Sequence, residues 1–332
     1  MGYAPQPARI EASAAQSAEW VERVLGAYKR IRSSVRQTPP DEISDVLAQS
    51  AVRVLAKMEN LQETGSFKFR GATNKMRLLA SDETARGIIA ASNGNHGLGV
   101  AAAARHTGIQ AEIYVSSQVA PSKAKRIEEY GAKVTVCGND PLTAEFAARE
   151  AAAQSGRTFV SPYNDLDVMA GQGTIGVEMV EQIPDADAIF VAVGGGGLVG
   201  GIGSYLKGVA ARTEVVGCWP ENSQVLYQSM RAGRIVVCDE QPTLSESTAG
   251  GLEEGSVTLD VCRAVIDSCV LVSEGEILSA MRLFYRSKQS LIEGAAGVAV
   301  ASFLKVARHY TGKTVVIVIC GGNLSEKVLG QL

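Results

Sequence analysis

An α/β fold with parallel sheets is the class this sequence predicts, and three observations predict it. Short apolar runs alternate with helical patterns along most of the 332 residues, which is the rhythm of βαβ units. The run over 314–320 is β-branched and apolar on both faces, as a strand buried on both sides requires. Many of the 35 glycines gather in short runs where such strands hand over to helices, so that backbone amides are free to meet a ligand.

Taken in order, residues 1–15 read as loosely ordered and 17–32 as a helix, followed by the breaker Thr38-Pro39-Pro40. A β-prone run over 52–58 leads through 59–66 into a helical pattern over 67–79, with Ser66 at the expected N-cap. Three strand-then-helix pairs follow, at 87–92 with 96–106, 111–116 with 121–130, and 132–137 with 141–154. The rhythm resumes with a helix at 172–183, a strand at 188–193 and a helix at 198–209. A strand at 214–219, helices at 223–232, 274–287 and 297–310, and the strand at 314–320 complete it. No solenoid repeat and no low-complexity linker divides the chain, so patterning sets the class and leaves domain boundaries open.

Composition narrows the function. A hydrophobic content of 46% with 20% charged residues is that of an ordinary globular protein. A net charge of −3 without a basic run gives no footprint for nucleic acid or an anionic membrane. No apolar run is long enough to span a bilayer, and the N-terminus lacks the pattern of a signal peptide. Cys137, Cys218, Cys238, Cys262, Cys269 and Cys320 show no C-x-x-C spacing and read as free thiols in a reducing compartment. A cytoplasmic protein acting on a small molecule is the expectation. His96, His106 and His309 show no ligand spacing, so no metal site is expected.

Four motifs carry chemistry. In Glu59-Asn-Leu-Gln-Glu-Thr-Gly-Ser66-Phe67-Lys68-Phe69-Arg70-Gly71-Ala72, a lysine lies in the first turn of a helix, the end where a cation is least favoured. Apolar neighbours Phe67 and Phe69 can lower its pKa and make it a nucleophile for a Schiff base. Ser92-Asn93-Gly94-Asn95-His96-Gly97, at a strand-to-helix junction, reads as an anion site. Gly194-Gly195-Gly196-Gly197-Leu198 follows a strand and opens a helix, so that its backbone can curl around an anion. Gly195-x-Gly197-x-x-Gly200, with Glu221 near the acidic position, also satisfies the dinucleotide fingerprint, but that reading leaves the Lys68 and Asn95 segments unexplained. Cys320-Gly321-Gly322-Asn323 closes the last strand.

These motifs resemble the fold-type II pyridoxal-phosphate enzymes, and most closely their threonine/serine dehydratase and serine racemase branch. The likeness covers nearly the whole chain. It implies the tryptophan synthase β-subunit-like fold, with a small domain at 80–160 inserted into a large one formed by 1–79 and 161–332. It implies that Lys68 carries pyridoxal 5'-phosphate and acts as the base at the substrate's Cα, with Phe67 packed beside the ring. By the same likeness Asn95 contacts the cofactor's phenolic oxygen, and Gly194, Gly195, Gly196, Gly197 and Leu198 hold its phosphate. Cys320 faces the pyridine nitrogen as a neutral partner, which suits β-elimination. Ser92, Asn93, Gly94 and His96 lie in the loop that grips the substrate carboxylate.

Tyr163-Asn164 and Ala170-Gly171-Gln172-Gly173-Thr174 are similar to a segment lining the cofactor cleft, and Glu293 to a glutamate near the ring. In serine racemases the position of Asn93 is a serine that serves as second base, and an amide cannot accept a proton there, so elimination is favoured over racemisation. Trp219 stands where some relatives place the first acidic ligand of a structural cation. Segments Trp219-Pro-Glu-Asn222 and Ser247-Thr-Ala-Gly-Gly251 look most like the dehydratases of hydroxyectoine utilisation. The implied activity is a dehydratase, an ammonia-lyase for a β-hydroxy-α-amino acid. The rivals are an amino-acid racemase on the same fold and a non-catalytic dinucleotide-binding protein. A homodimer is implied by the resemblance alone, and the short stretch after Cys320 leads us to expect no C-terminal regulatory domain.

Overall fold

The structure, a computed structural model, describes residues 3–5, 10, 13–47, 51–210 and 212–332. Eleven strands are described: β1 (Tyr3–Pro5), β2 (Pro40–Glu42), β3 (Arg53–Met58), β4 (Ile88–Ala91), β5 (Ala111–Val115), β6 (Lys133–Val136), β7 (Thr158–Phe159), β8 (Ala188–Ala192), β9 (Glu214–Pro220), β10 (Ser268–Val272) and β11 (Thr314–Ile319). They form two sheets. The larger has seven strands in the order β1-β10-β9-β8-β11-β3-β2, and the smaller four in the order β6-β5-β4-β7. Pairing is parallel throughout except at the two edges of the larger sheet, where β1 and β2 run antiparallel to their neighbours.

The central strands β8 and β11 are buried along their whole length, as their unbroken apolar sequences require. Residues 3–5 are strand rather than loose chain, because β1 pairs with β10; the expectation for 1–15 otherwise falls mostly outside the described residues. Helix Ala14–Ile31 is set by a capping box, in which Ser13 Oγ accepts the Gln16 N–H and the Gln16 side chain accepts the Ser13 N–H. Elements without a sequence signal include the edge strands β1, β2 and β7, too short for a period, and helix Thr258–Val265 with β10.

One helix braces the molecule. Leu166–Gln182 starts six residues before the expected 172, because Asp165 Oδ1 caps it by accepting the Asp167 and Val168 N–H groups. Its glycines serve close approach. A Cβ at Gly171 would stand 2.6 Å from Gly71 Cα, and one at Gly173 would stand 2.7 Å from the Gly201 carbonyl. The brace therefore lies directly against both helix Lys68–Met76 and helix Gly197–Val209. The former also inserts Phe69, Ala72 and Met76 into the apolar core that carries the smaller sheet, so it links the two sheet units.

Candidate active site

Lys68 is the first residue of helix Lys68–Met76. Ser66 is not its N-cap: Phe67 holds that position with helical dihedrals and no side-chain cap. The reason is backbone pairing with the end of β11. Ser66 bridges Gly321, and the Phe67 N–H donates to the Cys320 carbonyl at 3.0 Å, which fixes Ser66 in extended geometry with its hydroxyl buried and unpartnered. The lysine is thereby tied to the strand end that carries Cys320. Its ammonium donates to the Pro162 carbonyl at 2.7 Å and stands 5.1 Å from the Phe67 ring centroid. Burial lowers its pKa to about 8, against the opposing pull of Cys320 and Glu293. A Cβ at Gly99 would come within 3.0 Å of the Lys68 backbone, so helix Asn95–Thr107 needs glycine to pack there.

The 92–96 loop leaves β4 and opens helix Asn95–Thr107. Asn95 is buried at its first position: Nδ2 donates to Glu293 Oε2 at 2.8 Å, and Oδ1 accepts from Asn323 Nδ2 at 2.8 Å. Ser92 Oγ accepts the Gly94 N–H at 3.0 Å. Asn93 is held twice by Ser116, donating to its hydroxyl at 2.6 Å and accepting its N–H at 2.8 Å. His96 lies deeper, with Nε2 2.8 Å from the Val160 carbonyl; since a carbonyl only accepts, Nε2 carries the hydrogen. Burial, and then the charge of Lys68, depress its pKa to about 3, so His96 is neutral at physiological pH.

The glycines Gly194–Gly197 follow β8, and Gly197 opens the helix Gly197–Val209. Among the described residues no protein group accepts the amide N–H of Gly194, Gly195, Gly196 or Gly197, nor that of Leu198. Gly196 has φ +88°, where other residues are strained, and Cys262 Sγ lies beneath it, 3.6 Å from its carbonyl. Gly195 has no room for a Cβ because the Tyr163 ring lies against it. Tyr163 follows Pro162, whose carbonyl holds Lys68, so the 161–164 segment joins the lysine to the glycine loop.

Cys320 is buried at the end of β11, and burial pushes its thiol well up, so it is a neutral donor, 3.9 Å from Glu293 Oε1. Glu293 also accepts from Ser247 Oγ at 2.9 Å, and burial raises its pKa. A Cβ at Gly321 would lie 2.5 Å from this carboxylate, so the turn after Cys320 must be glycine. Below the lysine lies a fully buried ionic network. Arg70 donates to both oxygens of Glu59 at 2.7 and 2.8 Å and to both of Glu178 at 2.6 and 2.8 Å. Lys57 donates to Glu178 at 2.6 Å and to the Thr38 carbonyl at 2.6 Å.

The structure thus brings together Asn95, Cys320 and Glu293 through direct contacts, ties Lys68 to them through the Phe67 backbone and the Cys320 carbonyl, and joins Lys68 to the glycine loop through Pro162 and Tyr163. Asn323, Arg126 and Ser247 belong to the same polar web and Ser116 holds Asn93, but none of them carried a role in the sequence reading. Asn323 lay within a motif already noted, whereas Arg126 reads as any helix-surface arginine. No group of three His, Cys, Asp or Glu side chains suited to a metal occurs among the described residues, and Trp219 is buried against Tyr227 with ring centroids 5.6 Å apart.

Comparison with known proteins gives a consistent result. An L-threonine ammonia-lyase of Thermotoga maritima is 36% identical over 312 residues, covering 94% of this chain and 77% of that protein. A beta-hydroxyaspartate dehydratase of Paracoccus denitrificans is 32% identical over 304 residues, covering 91% and 96%. The processed form of threonine deaminase isoform 2 from Solanum lycopersicum superposes with a TM-score of 0.91 at 27% identity, covering 100% of this chain and 95% of that one. The family described as pyridoxal-phosphate dependent enzyme matches residues 31–321, and this chain belongs to that family.

Proposed function

We propose that the protein is a pyridoxal-phosphate-dependent ammonia-lyase that eliminates water from a β-hydroxy-α-amino acid, giving an oxo acid and ammonia. The observation that carries this reading is Lys68: a buried amine with its pKa lowered to about 8, seated between the Asn95 loop, Cys320 and the segment that leads to the glycine loop. The residues present fit the cofactor. Free amide donors at 194–198 suit a phosphate, and a neutral Cys320 thiol suits an unprotonated pyridine nitrogen.

When bound, pyridoxal phosphate supplies the electron sink that acidifies the substrate's Cα–H and lets the β-hydroxyl leave. The chain's own residues do the rest. Lys68 would hold the cofactor through Nζ, and its free amine would take the substrate's Cα proton on that nitrogen. Phe67 holds the lysine stem in place. We place the substrate carboxylate at the loop of Ser92, Asn93, Gly94 and His96, where the Asn93 side chain, the Gly94 N–H and the His96 ring already hold the loop's own shape. Asn93 is engaged by Ser116 and its amide carries no basic site, which favours elimination over the two-base route to racemisation.

We read 80–160, whose strands β4 to β7 form a sheet of their own, as the small domain, and 1–79 with 161–332 as the large one. A homodimer and a cytoplasmic setting complete the proposal; no described helix is long and apolar enough to cross a membrane. The test is a panel of serine, threonine, hydroxyaspartate, phenylserine and a hydroxylated diaminobutyrate, the last probing the hydroxyectoine likeness. Oxo acid and ammonia released in equal amounts from one of them support the reading. D-serine forming from L-serine faster than pyruvate would replace it with the racemase.

A further inference from the structure

Asn95 is the residue whose amide must face a particular way, and four groups around it decide which way. Thr64 offers a carbonyl, which only accepts, and Asn323 Nδ2 donates to it at 2.8 Å. Arg126 offers a guanidinium, which only donates, and Asn323 Oδ1 accepts from its Nη1 at 3.0 Å. These two partners fix the Asn323 amide without ambiguity, so its second N–H points to Asn95 Oδ1 at 2.8 Å. On the far side, Glu293 Oε2 accepts from Asn95 Nδ2 at 2.8 Å. Flipping Asn95 would set its oxygen against Glu293 and its N–H groups against the Asn323 N–H. The contact with Asn323, whose N–H is fixed by Thr64 and Arg126, would become repulsive in a buried place.

We infer that Asn323, anchored by Arg126, is a positioning residue that holds Asn95 with one amide N–H that no described residue engages, available to an anionic oxygen of the cofactor. This rests on the proposed role of Asn95 and extends it to residues that touch neither cofactor nor substrate. The geometry also joins the two sheet units at this point. Arg126 lies on helix Pro121–Glu129 beside the smaller sheet, whereas Asn323 follows β11 of the larger. Thr64 and Glu293 complete the frame.

The experiment is a pH titration of the visible absorbance of the purified holoenzyme, together with equilibrium dialysis of pyridoxal phosphate, for wild type, Asn95→Ala, Asn323→Ala, Asn323→Asp, Arg126→Ala and the double variant Asn95→Ala/Asn323→Ala. A donor to an oxyanion stabilises its deprotonated form, so its loss raises the apparent pKa. Asn95→Ala and both Asn323 variants should raise it by about one pH unit, a tenfold change in proton affinity. Arg126→Ala, on a half-buried side chain, should raise it by less, and the double variant should move no further than Asn95→Ala alone. Thermal midpoints measured in parallel separate folding defects from positioning.

Asn323 variants that are folded and titrate as wild type while Asn95→Ala is shifted would overturn the inference alone. An unshifted Asn95→Ala would overturn it together with the reading of Asn95 on which it rests.

Discussion

Replacing Arg70 with leucine removes the cation shared by two buried carboxylates while keeping the apolar stem that packs beside them. Arg70 has no exposure, and it makes two hydrogen bonds to Glu59 and two to Glu178. Burial alone would raise the Glu59 carboxyl, but Arg70, with Lys57 and Thr38, holds the pKa below the usual range. Breaking a buried pair from one side costs about 3–5 kcal/mol. At roughly 2–4 °C per kcal/mol for domains of this class, the apparent thermal midpoint at pH 8 should fall by on the order of 10 °C.

The sign of the pH effect follows from Glu59. Its depressed folded pKa gives wild type a stabilisation present above the ordinary carboxylate range and lost as pH falls through the lowered value. In the leucine variant burial acts unopposed by Arg70, so Glu59 takes up a proton more easily and the variant's deficit narrows from pH 8 toward pH 5. Thermal melts of both proteins across that range are the assay. Equal midpoints at pH 8, or a deficit that widens on acidification, would refute the reasoning.

Other outcomes follow from the site. Lys68 must be neutral to attack a carbonyl, so the rate at which apoprotein takes up pyridoxal phosphate should climb as pH rises through about 8 and then level off; stopped-flow absorbance reads it. Gly195→Ala pushes a methyl group into the Tyr163 ring and should weaken cofactor retention at least about tenfold, as a misplaced binding loop does, by equilibrium dialysis. Asn93→Ala removes both bonds to Ser116 and should lower the thermal midpoint, at a cost of about 1–3 kcal/mol. Chiral analysis of L-serine left after prolonged incubation with wild type should find no D-isomer.

The parts of this molecule legible from sequence are those where local chemistry and tertiary demand agree. The strands β8 and β11 are apolar on both faces and buried on both faces, and the four glycines after β8 stand where neighbours leave no room for a Cβ or, at Gly196, where φ is positive. Ser66 shows the opposite case: a good capping residue is overruled because its backbone pairs with Gly321. The early start of Leu166–Gln182 was hidden by Gly171, which lies just ahead of the expected helix at 172–183 and serves helix-to-helix contact in space, as Gly173 and Gly176 do. Asn323 and Arg126 were illegible for a different reason. Their partners lie 228 and 197 residues away in the chain, and no local pattern encodes such a distance.

The central claim is that Lys68 carries the cofactor. Borohydride reduction of the purified holoenzyme, followed by proteolysis and mass analysis, tests it most directly. Reduction should fix the cofactor's mass on the peptide containing Lys68, and Lys68→Ala should yield no labelled peptide and release no oxo acid. Label on another lysine, or a Lys68→Ala protein that keeps both its visible band and its activity, would contradict the account.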